Sequence, residues 1–403
     1  MTAPDFLPAW PPGANGFALF GLLLLSGALG GRLAATTRIL PAITGYIATG
    51  FLLGPGALNW LDSGMLADAR VLADVSIGVI VFELGRRLDL TWARHDRWLL
   101  PMGLAESALS FAAMFLLLVV LGVDQLEAAV VATFGVATAP AVVLLVTREL
   151  RADGPVTRRT LWHVALNNIV AILGLAVLLP FIEARTLGTP WSPIGRSLWL
   201  VAGSFLLGVA AFWIMTLSAR VVGKSHGAQF LLTVGAILLT VGAAQSLRLS
   251  VLLALLVLGV CARNLDRHHR LVDVRFGGAA EVFFVVLFVL TGATLRPDQF
   301  GHVAWIGLAL IVARALGKAF GLVLLAGPAR LTVRQAATVA VALTPISGLA
   351  IGMTQPIFEV APEFGARLTA IVVSGIALLH LLGPIATRYA LLRAGEGEPG
   401  ARD

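Results

Sequence analysis

Thirteen apolar stretches, separated by short polar segments, run along nearly the whole chain. A helix of about 20 apolar residues is long enough to cross the hydrocarbon core of a bilayer. The pattern therefore predicts an all-α polytopic membrane protein. Its predicted spans lie at residues 14–31, 39–55, 66–85, 98–121, 127–147, 160–182, 197–219, 228–246, 249–262, 279–295, 302–326, 333–356 and 367–390.

The composition supports a membrane location. Hydrophobic residues make up 58% of the chain and charged residues 13%, and the mean hydropathy is +0.91. These values lie well outside the range of soluble domains. No pattern of a catalytic nucleophile, a metal site or a phosphate-binding loop stands out, so we expect neither an enzyme nor a bound cofactor. The single cysteine, Cys261, excludes an intramolecular disulfide.

The basic residues predict the topology. Lys and Arg in short loops stay on the cytoplasmic side, and most of the 29 here fall in alternate loops. Thirteen spans with the N-terminus outside and the C-terminus in the cytoplasm reproduce that alternation, in a cell (inner) membrane. The net charge of +7 then reflects topology and contact with anionic lipid, and no nucleic-acid partner is expected.

Two spans are interrupted at matched positions. Residues 138–140 (TAP) break the fifth span and residues 344–348 (TPISG) break the twelfth, which runs in the opposite direction. Such a pair is typical of a transporter built from inverted repeats, whose broken helices cross at the binding site. We therefore predict one transporter domain over 1–403, with repeats at 1–182 and 228–390, a connecting helix at 197–219 and a cytoplasmic tail at 391–403. The alternative is that the prolines only kink two packed helices. The residues predicted to form the breaks are Thr138, Pro140, Thr344, Pro345, Ser347 and Gly348.

Ionisable residues inside a bilayer are costly and are candidates for function. The foremost are Glu83, Arg314 and Lys318, followed by Asp74, Glu106, His163 and Glu281. Glu83 could line a cavity or pair with Arg87 four residues on. Lys318 could extend to the membrane surface, whereas the deeper Arg314 needs a carboxylate or a helix C-terminus as its partner. The adjacent amides Asn167 and Asn168 lie inside the sixth span, where they either bind a ligand or bond neighbouring helices.

Several segments resemble the monovalent cation/proton antiporter superfamily of sodium/proton exchangers and potassium-efflux proteins. The most specific is 45–55 (GYIATGFLLGP), which is similar to the second-span signature. Residues 72–78 with 82–85 resemble the third span, residues 283–284 with 291–292 the tenth, and residues 313–318 (ARALGK) the eleventh. The resemblance implies thirteen spans, crossed broken helices, a homodimer, elevator-type alternating access, and cation and proton competing for one carboxylate.

The chain departs from that family pattern at the carboxylate. Relatives carry Asp at the second place of an Asn-Asp or Asp-Asp pair, where this chain has Asn167-Asn168, and Thr-Asp-Pro is matched by Thr-Ala-Pro. An amide cannot take up or release a proton near neutral pH. By the resemblance we expect Glu83 to be the titrating ligand, Thr138 and the two Asn side chains to be neutral oxygen donors, and Arg314 to be the competing or bracing cation.

The leading functional hypothesis is exchange of Na⁺ or K⁺ for protons. A second is a transporter of the same fold for an anion or neutral solute, because Arg314 and Lys318 without a carboxylate in the sixth span would give a positive potential. A third is a membrane sensor or assembly subunit that transports nothing.

Overall fold

The computed structural model describes residues 16–37, 40, 42–61, 63–91, 96–188, 192–223, 225–266, 277–293, 304–346 and 382–398, with single positions at 357, 360, 361, 364 and 379. Every element formed by these residues is helical, in agreement with the predicted class. In chain order the helices are α1 (Gly16–Thr36), α2 (Ala42–Leu53), α3 (Ser63–Asp68), α4 (Arg70–Arg87), α5 (Leu99–Val120), α6 (Gln125–Val136), α7 (Pro140–Glu149), α8 (Pro155–Leu187), α9 (Pro193–Val222), α10 (His226–Ser246), α11 (Val251–Asn264), α12 (Gly277–Ala293), α13 (Ala304–Leu324), α14 (Val333–Ala342) and α15 (382–393).

Each predicted span contains at least part of one of these helices. Seven segments of the described chain are long and apolar enough to cross a membrane, and the broken segment 125–149 is one of them. Three further apolar helices are shorter, among them α11, which the sequence also predicted to be short. The span predicted at 66–85 consists of two helices, α3 and α4, which meet at Ala69.

Local sequence signals set several helix ends. Asp124 accepts hydrogen bonds from the backbone amides of Leu126 and Glu127 and so begins α6, and a capping box of Thr332 and Gln335 begins α14. The long helix α8 starts with a proline at its first turn and ends at Gly188, which has a φ of 59°.

The helices pack into two bundles, which we call the core bundle and the panel bundle. The core bundle holds both interrupted segments and consists of α5, α6, α7, α8, α13 and α14. The panel bundle consists of α1, α2, α4, α9, α10, α11 and α12. Helix α8 packs against members of both bundles, so the residues on its faces connect them.

Within the panel bundle, α2 packs on α12 and α4 packs on α11. Helices α2 and α4 lie in the second and third predicted spans, and α11 and α12 lie in the ninth and tenth. An inverted repeat pairs the second span with the ninth and the third with the tenth. The contact of α2 with α12 is then equivalent to the contact of α11 with α4. The packing is consistent with the predicted repeats, whose boundaries stay a prediction.

Candidate functional site

The two interrupted segments meet inside the core bundle. The backbone amide of Ala139, between α6 and α7, donates a hydrogen bond of 3.0 Å to the carbonyl oxygen of Pro345, just after α14. Non-helical backbone at membrane depth is tolerated where other protein groups satisfy it, and here each break helps to satisfy the other. The predicted crossing is confirmed by this bond. Ser347 and Gly348, which were predicted to belong to the second break, lie outside the described residues.

Arg314 on α13 holds both breaks together. Its guanidinium donates to the carbonyl oxygens of Gly135 (2.6 Å) and Ala137 (3.0 Å) at the end of α6. It also donates to those of Leu343 (3.2 Å) and Thr344 (2.8 Å) at the end of α14. Helix C-termini carry partial negative charge and unpaired carbonyls, so they suit a buried cation. Of the two kinds of partner expected for Arg314, the structure provides helix C-termini.

Thr138 and the two adjacent amides form a polar cluster at the first break. The side-chain Nδ2 of Asn167 donates to Thr138 Oγ1 (3.2 Å), and Nδ2 of Asn168 donates to the carbonyl oxygens of Thr138 and Val164 (2.7 Å each). Arg314 also reaches Thr138 Oγ1, at 3.3 Å. The structure thus brings Thr138, Asn167, Asn168 and Arg314 together. Their role as ion ligands stays a prediction.

Ser107 on α5 is a member of this cluster that the sequence analysis missed. Its hydroxyl donates a hydrogen bond of 2.9 Å to Asn167 Oδ1, and both side chains are buried. The available signal was weak, because a serine in an apolar span most often bonds the backbone of its own helix. Only the register between α5 and α8 reveals the contact.

Glu83 lies elsewhere, near the last turn of α4. Its carboxylate forms ion pairs with Arg87 (3.0 Å) and with Arg148 (3.4 Å) near the end of α7. Arg148 is eight residues beyond Pro140, which corresponds to about 12 Å along the helix. The structure thus shows the pairing with Arg87 that the sequence left open, and it does not bring Glu83 into contact with the amide cluster. The titrating role of Glu83 stays a prediction.

Lys318 and Glu106 form a buried ion pair between α13 and α5. Lys318 Nζ lies 2.9 Å from Glu106 Oε2, and the two side chains are 1% and 0% exposed. Lys318 therefore does not extend to the membrane surface. A Cβ built on Gly321 would lie 2.5 Å from the Cα of Glu106, so only glycine permits this approach of the two helices. The side chains of Asp74 and Glu281, also candidates, lie outside the described residues.

The segment after α15 fixes the start of α8, the helix that carries both Asn residues. The carboxylate of Glu396 accepts hydrogen bonds from the backbone amides of Val156 (2.8 Å) and Thr157 (2.7 Å) and from the Thr157 hydroxyl (2.8 Å). A carboxylate at a helix N-terminus is favourable because it meets unpaired amides and the positive end of the dipole. No signal in the sequence linked Glu396 to a helix 239 residues away.

Comparison with known proteins places this geometry in a known fold. The family model described as "Sodium/hydrogen exchanger, transmembrane" matches residues 20–387. The solved structure of the sodium proton antiporter MjNhaP1 from Methanocaldococcus jannaschii at pH 8 superposes with a TM-score of 0.70 at 16% identity, over 93% of this chain and 95% of that one. An electron-microscopy structure of the same antiporter gives a TM-score of 0.68 at 18% identity, over 94% of each chain. The predicted sodium/proton antiporter-like fold is confirmed.

Proposed function

This multi-pass membrane protein belongs to the sodium/hydrogen exchanger family, and from that premise we propose that it exchanges a monovalent cation, Na⁺ or K⁺, for protons. It works as a secondary active transporter by elevator-type alternating access, driven by the proton gradient. The cation binds where the two interrupted segments cross. In the cell the protein is a homodimer in the inner membrane, with its N-terminus outside and its C-terminus in the cytoplasm.

The observation that supports this proposal most is the cluster of Thr138, Asn167 and Asn168 at the crossing. It collects a hydroxyl, two amide groups and a backbone carbonyl in one buried place. Hard monovalent ions are bound through oxygen ligands of this kind. Because these groups bond to each other in the structure described, a cation would bind by replacing those bonds with ion–oxygen contacts.

Arg314 acts in this proposal as a brace. Its Nε and both terminal nitrogens donate to backbone carbonyls of the two breaks. A guanidinium has five N–H groups, and here most of them are used within the protein. This observation weakens the alternative that Arg314 recruits a transported anion, although the described cluster at the crossing contains no carboxylate.

Dye-monitored proton flux in proteoliposomes tests the proposal. Pulses of Na⁺ or K⁺ should release protons from vesicles loaded at acid pH, whereas a choline pulse and protein-free vesicles should not. If neither cation moves protons, the exchanger function is wrong. If proton movement instead follows the identity of the anion, the protein is an anion transporter of the same fold.

Two substitutions test the ligands within that assay. Asn168→Ala should raise the cation concentration for half-maximal exchange about tenfold, the equivalent of about 1.4 kcal/mol for one lost ligand. An unchanged value would remove Asn168 from the site. Glu83→Gln tests the titrating role predicted from the sequence: full proton-coupled activity in this variant would reduce Glu83 to its ion pairs with Arg87 and Arg148.

A further inference from the structure

We propose that Glu106 is the carboxylate that binds and releases the transported proton, and that Lys318 pairs with this carboxylate while it is ionised. This inference rests on the exchanger function. It adds a proton-binding group, which the amides of Asn167 and Asn168 cannot supply. The exchanged ligand at this site is the proton.

The first observation is that the ion pair is buried but incompletely satisfied. Glu106 Oε2 binds Lys318, whereas Glu106 Oε1 has no hydrogen-bond partner among the described residues. A buried polar atom without a partner costs free energy, so such atoms call for a functional explanation. A proton on Oε1 neutralises the carboxylate and weakens its attraction to Lys318.

The second observation is a group of unpaired polar atoms around this carboxylate. Ser110 lies one turn further along α5, and its hydroxyl has no partner in the part of the chain described. His163 on α8 is fully buried, and neither of its ring nitrogens has a partner there. A Cβ on Gly103, one turn before Glu106, would lie 2.9 Å from His163 Nδ1. A neutral imidazole has one nitrogen that donates and one that accepts a hydrogen bond, so it can pass a proton from one side of the ring to the other.

These groups form a line that runs inward from the start of α8. Arg159, His163 and Asn167 are spaced four residues apart, so they lie on one face of the helix. Arg159 pairs with Asp96 at 2.5 Å, and both of these side chains retain some exposure. His163 comes one turn deeper, and Glu106 lies about 10 Å along α5 from Leu99. In this proposal the exposed end of this line is the entry for a proton from the aqueous phase, and His163 relays the proton towards Glu106.

The line ends at the amide cluster. Ser107, the neighbour of Glu106 in the sequence, donates to Asn167 Oδ1, and Asn167 in turn donates to Thr138 Oγ1. Protonation of Glu106 and cation binding at the cluster are therefore coupled through adjacent residues of α5. Among the described residues, Lys318 and Arg314 on α13 interact electrostatically with Glu106, and His163 on α8 interacts with Lys318. Helix α6 presents only Glu127, in its first turn.

The exchange cycle balances in protons and charge. With Glu106 ionised and Lys318 protonated, the pair is neutral overall and the cation occupies the amide cluster. Uptake of one proton from solution makes Glu106 neutral, leaves Lys318 as an uncompensated buried cation, and raises the local positive charge by one. That charge repels the cation from the neighbouring cluster. Release of the proton to the other side restores the neutral pair.

The experiment compares Glu106→Gln with Glu183→Gln in the proteoliposome assay. Glu183 is a matched control, because it is a partly buried carboxylate paired with Arg196 near the far end of α8. We expect cation-driven proton movement to fall to the level of protein-free vesicles in Glu106→Gln and to persist in Glu183→Gln. Exchange of labelled for unlabelled cation should continue in Glu183→Gln and should weaken in Glu106→Gln, because the uncompensated Lys318 repels the cation. Proton movement by Glu106→Gln at the rate of the control overturns the proposal.

Two further variants keep the test decisive where Glu106→Gln does not fold. Glu106→Asp keeps the carboxyl group and should retain exchange with a shifted pH profile, and an unchanged profile contradicts the proposal. The double variant Glu106→Gln/Lys318→Met leaves no unpaired charge, and it should fold and fail to move protons.

Infrared difference spectroscopy separates this inference from the function it rests on. Acidification of the detergent-solubilised protein should produce a protonated-carboxyl band that Glu106→Gln lacks and Glu183→Gln retains. Absence of transport in the wild type with this band present would refute only the exchanger function. A band that survives in Glu106→Gln would refute the assignment of Glu106 as the proton-binding group.

Discussion

Arg314 and Lys318 lie one turn apart on α13, and both are almost completely buried, yet their surroundings differ in kind. Arg314 donates to backbone carbonyl oxygens of two helix ends. Within the part of the chain that the structure describes, Lys318 pairs with the carboxylate of Glu106. The planar guanidinium, with five donors, can bridge several acceptors at once, whereas an ammonium acts as a compact point charge.

The difference distinguishes a cation that stabilises the fold, Arg314, from a cation whose partner can be protonated, Lys318. Backbone carbonyls do not change protonation state, so the hydrogen bonds that Arg314 donates to them do not depend on protonation of the acceptor. The partner of Lys318 can be neutralised by one proton, which turns a balanced pair into an unbalanced charge. Substitutions at the two sites should therefore affect stability and transport in different proportions.

The largest expected effect is that of Arg314→Met. The substitution removes the buried cation that joins the ends of α6 and α14 and leaves their carbonyl oxygens without donors. We expect a loss of about 3–5 kcal/mol in the free energy of unfolding, because each buried carbonyl oxygen left without its donor costs about 1–3 kcal/mol. Thermal unfolding in detergent, followed by size-exclusion chromatography, measures it. A variant as stable as the wild type would show that the breaks do not need a brace.

Lys318→Met alone should destabilise the protein by about 3 kcal/mol, because it leaves Glu106 buried without its partner. Adding Glu106→Gln removes the second charge and should restore most of that stability. The comparison of single and double variants isolates the coupling between the two residues. No such rescue is available for Arg314, whose partners are backbone carbonyls and the Thr138 hydroxyl and include no second charge. Equal instability of the single and double variants would contradict the distinction.

Gly321→Ala should have a moderate effect of about 1–3 kcal/mol, because the new Cβ would overlap the backbone of Glu106 and push α13 from α5. The matched control is Gly235→Ala in α10, where a Cβ would meet nothing within 4 Å. That control should be neutral or slightly stabilising because alanine favours helix. A Gly321→Ala protein with normal stability would show that the close approach is not needed.

The smallest effect concerns an ion pair outside the spans, that of Asp89 with Arg263, which links the ends of α4 and α11 at 2.6 Å. Burial raises the pKa of Asp89, but hydrogen bonds from Thr91 and Arg263 outweigh it and lower the pKa to about 2. A lowered pKa stabilises the folded state above pH 4, and this contribution disappears as the pH falls towards 2. We expect at most about 1 kcal/mol after solvent screening.

Melting temperatures of the wild type and Asp89→Asn across this pH range measure that contribution. Their difference should be constant above pH 5 and should shrink below pH 4. A difference that does not change with pH would assign the effect to packing instead of charge.

The sequence predicted the parts of the site that follow from local rules. Prolines at 140 and 345 interrupt helices because proline lacks an N–H donor, and Arg314 at that depth requires buried acceptors. The contacts of Ser107 with Asn167 and of Glu106 with Lys318 depend on helix register across 60 and 212 residues, which no local pattern specifies. The pairing of Glu83 with Arg87, four residues on, could be predicted from helix periodicity. Its pairing with Arg148 on another helix could not.

The single bond between Ala139 and Pro345 also restricts how the molecule can move. Together with the bonds from Arg314, it fastens the ends of α6 and α14 to each other across the two halves of the chain. A motion that drew these ends apart would leave their amides and carbonyls unpaired at the depth where water is scarce. In the alternating-access cycle that we propose, the two helix ends therefore move together as one rigid unit, and the surface that slides lies between the core bundle and the panel bundle.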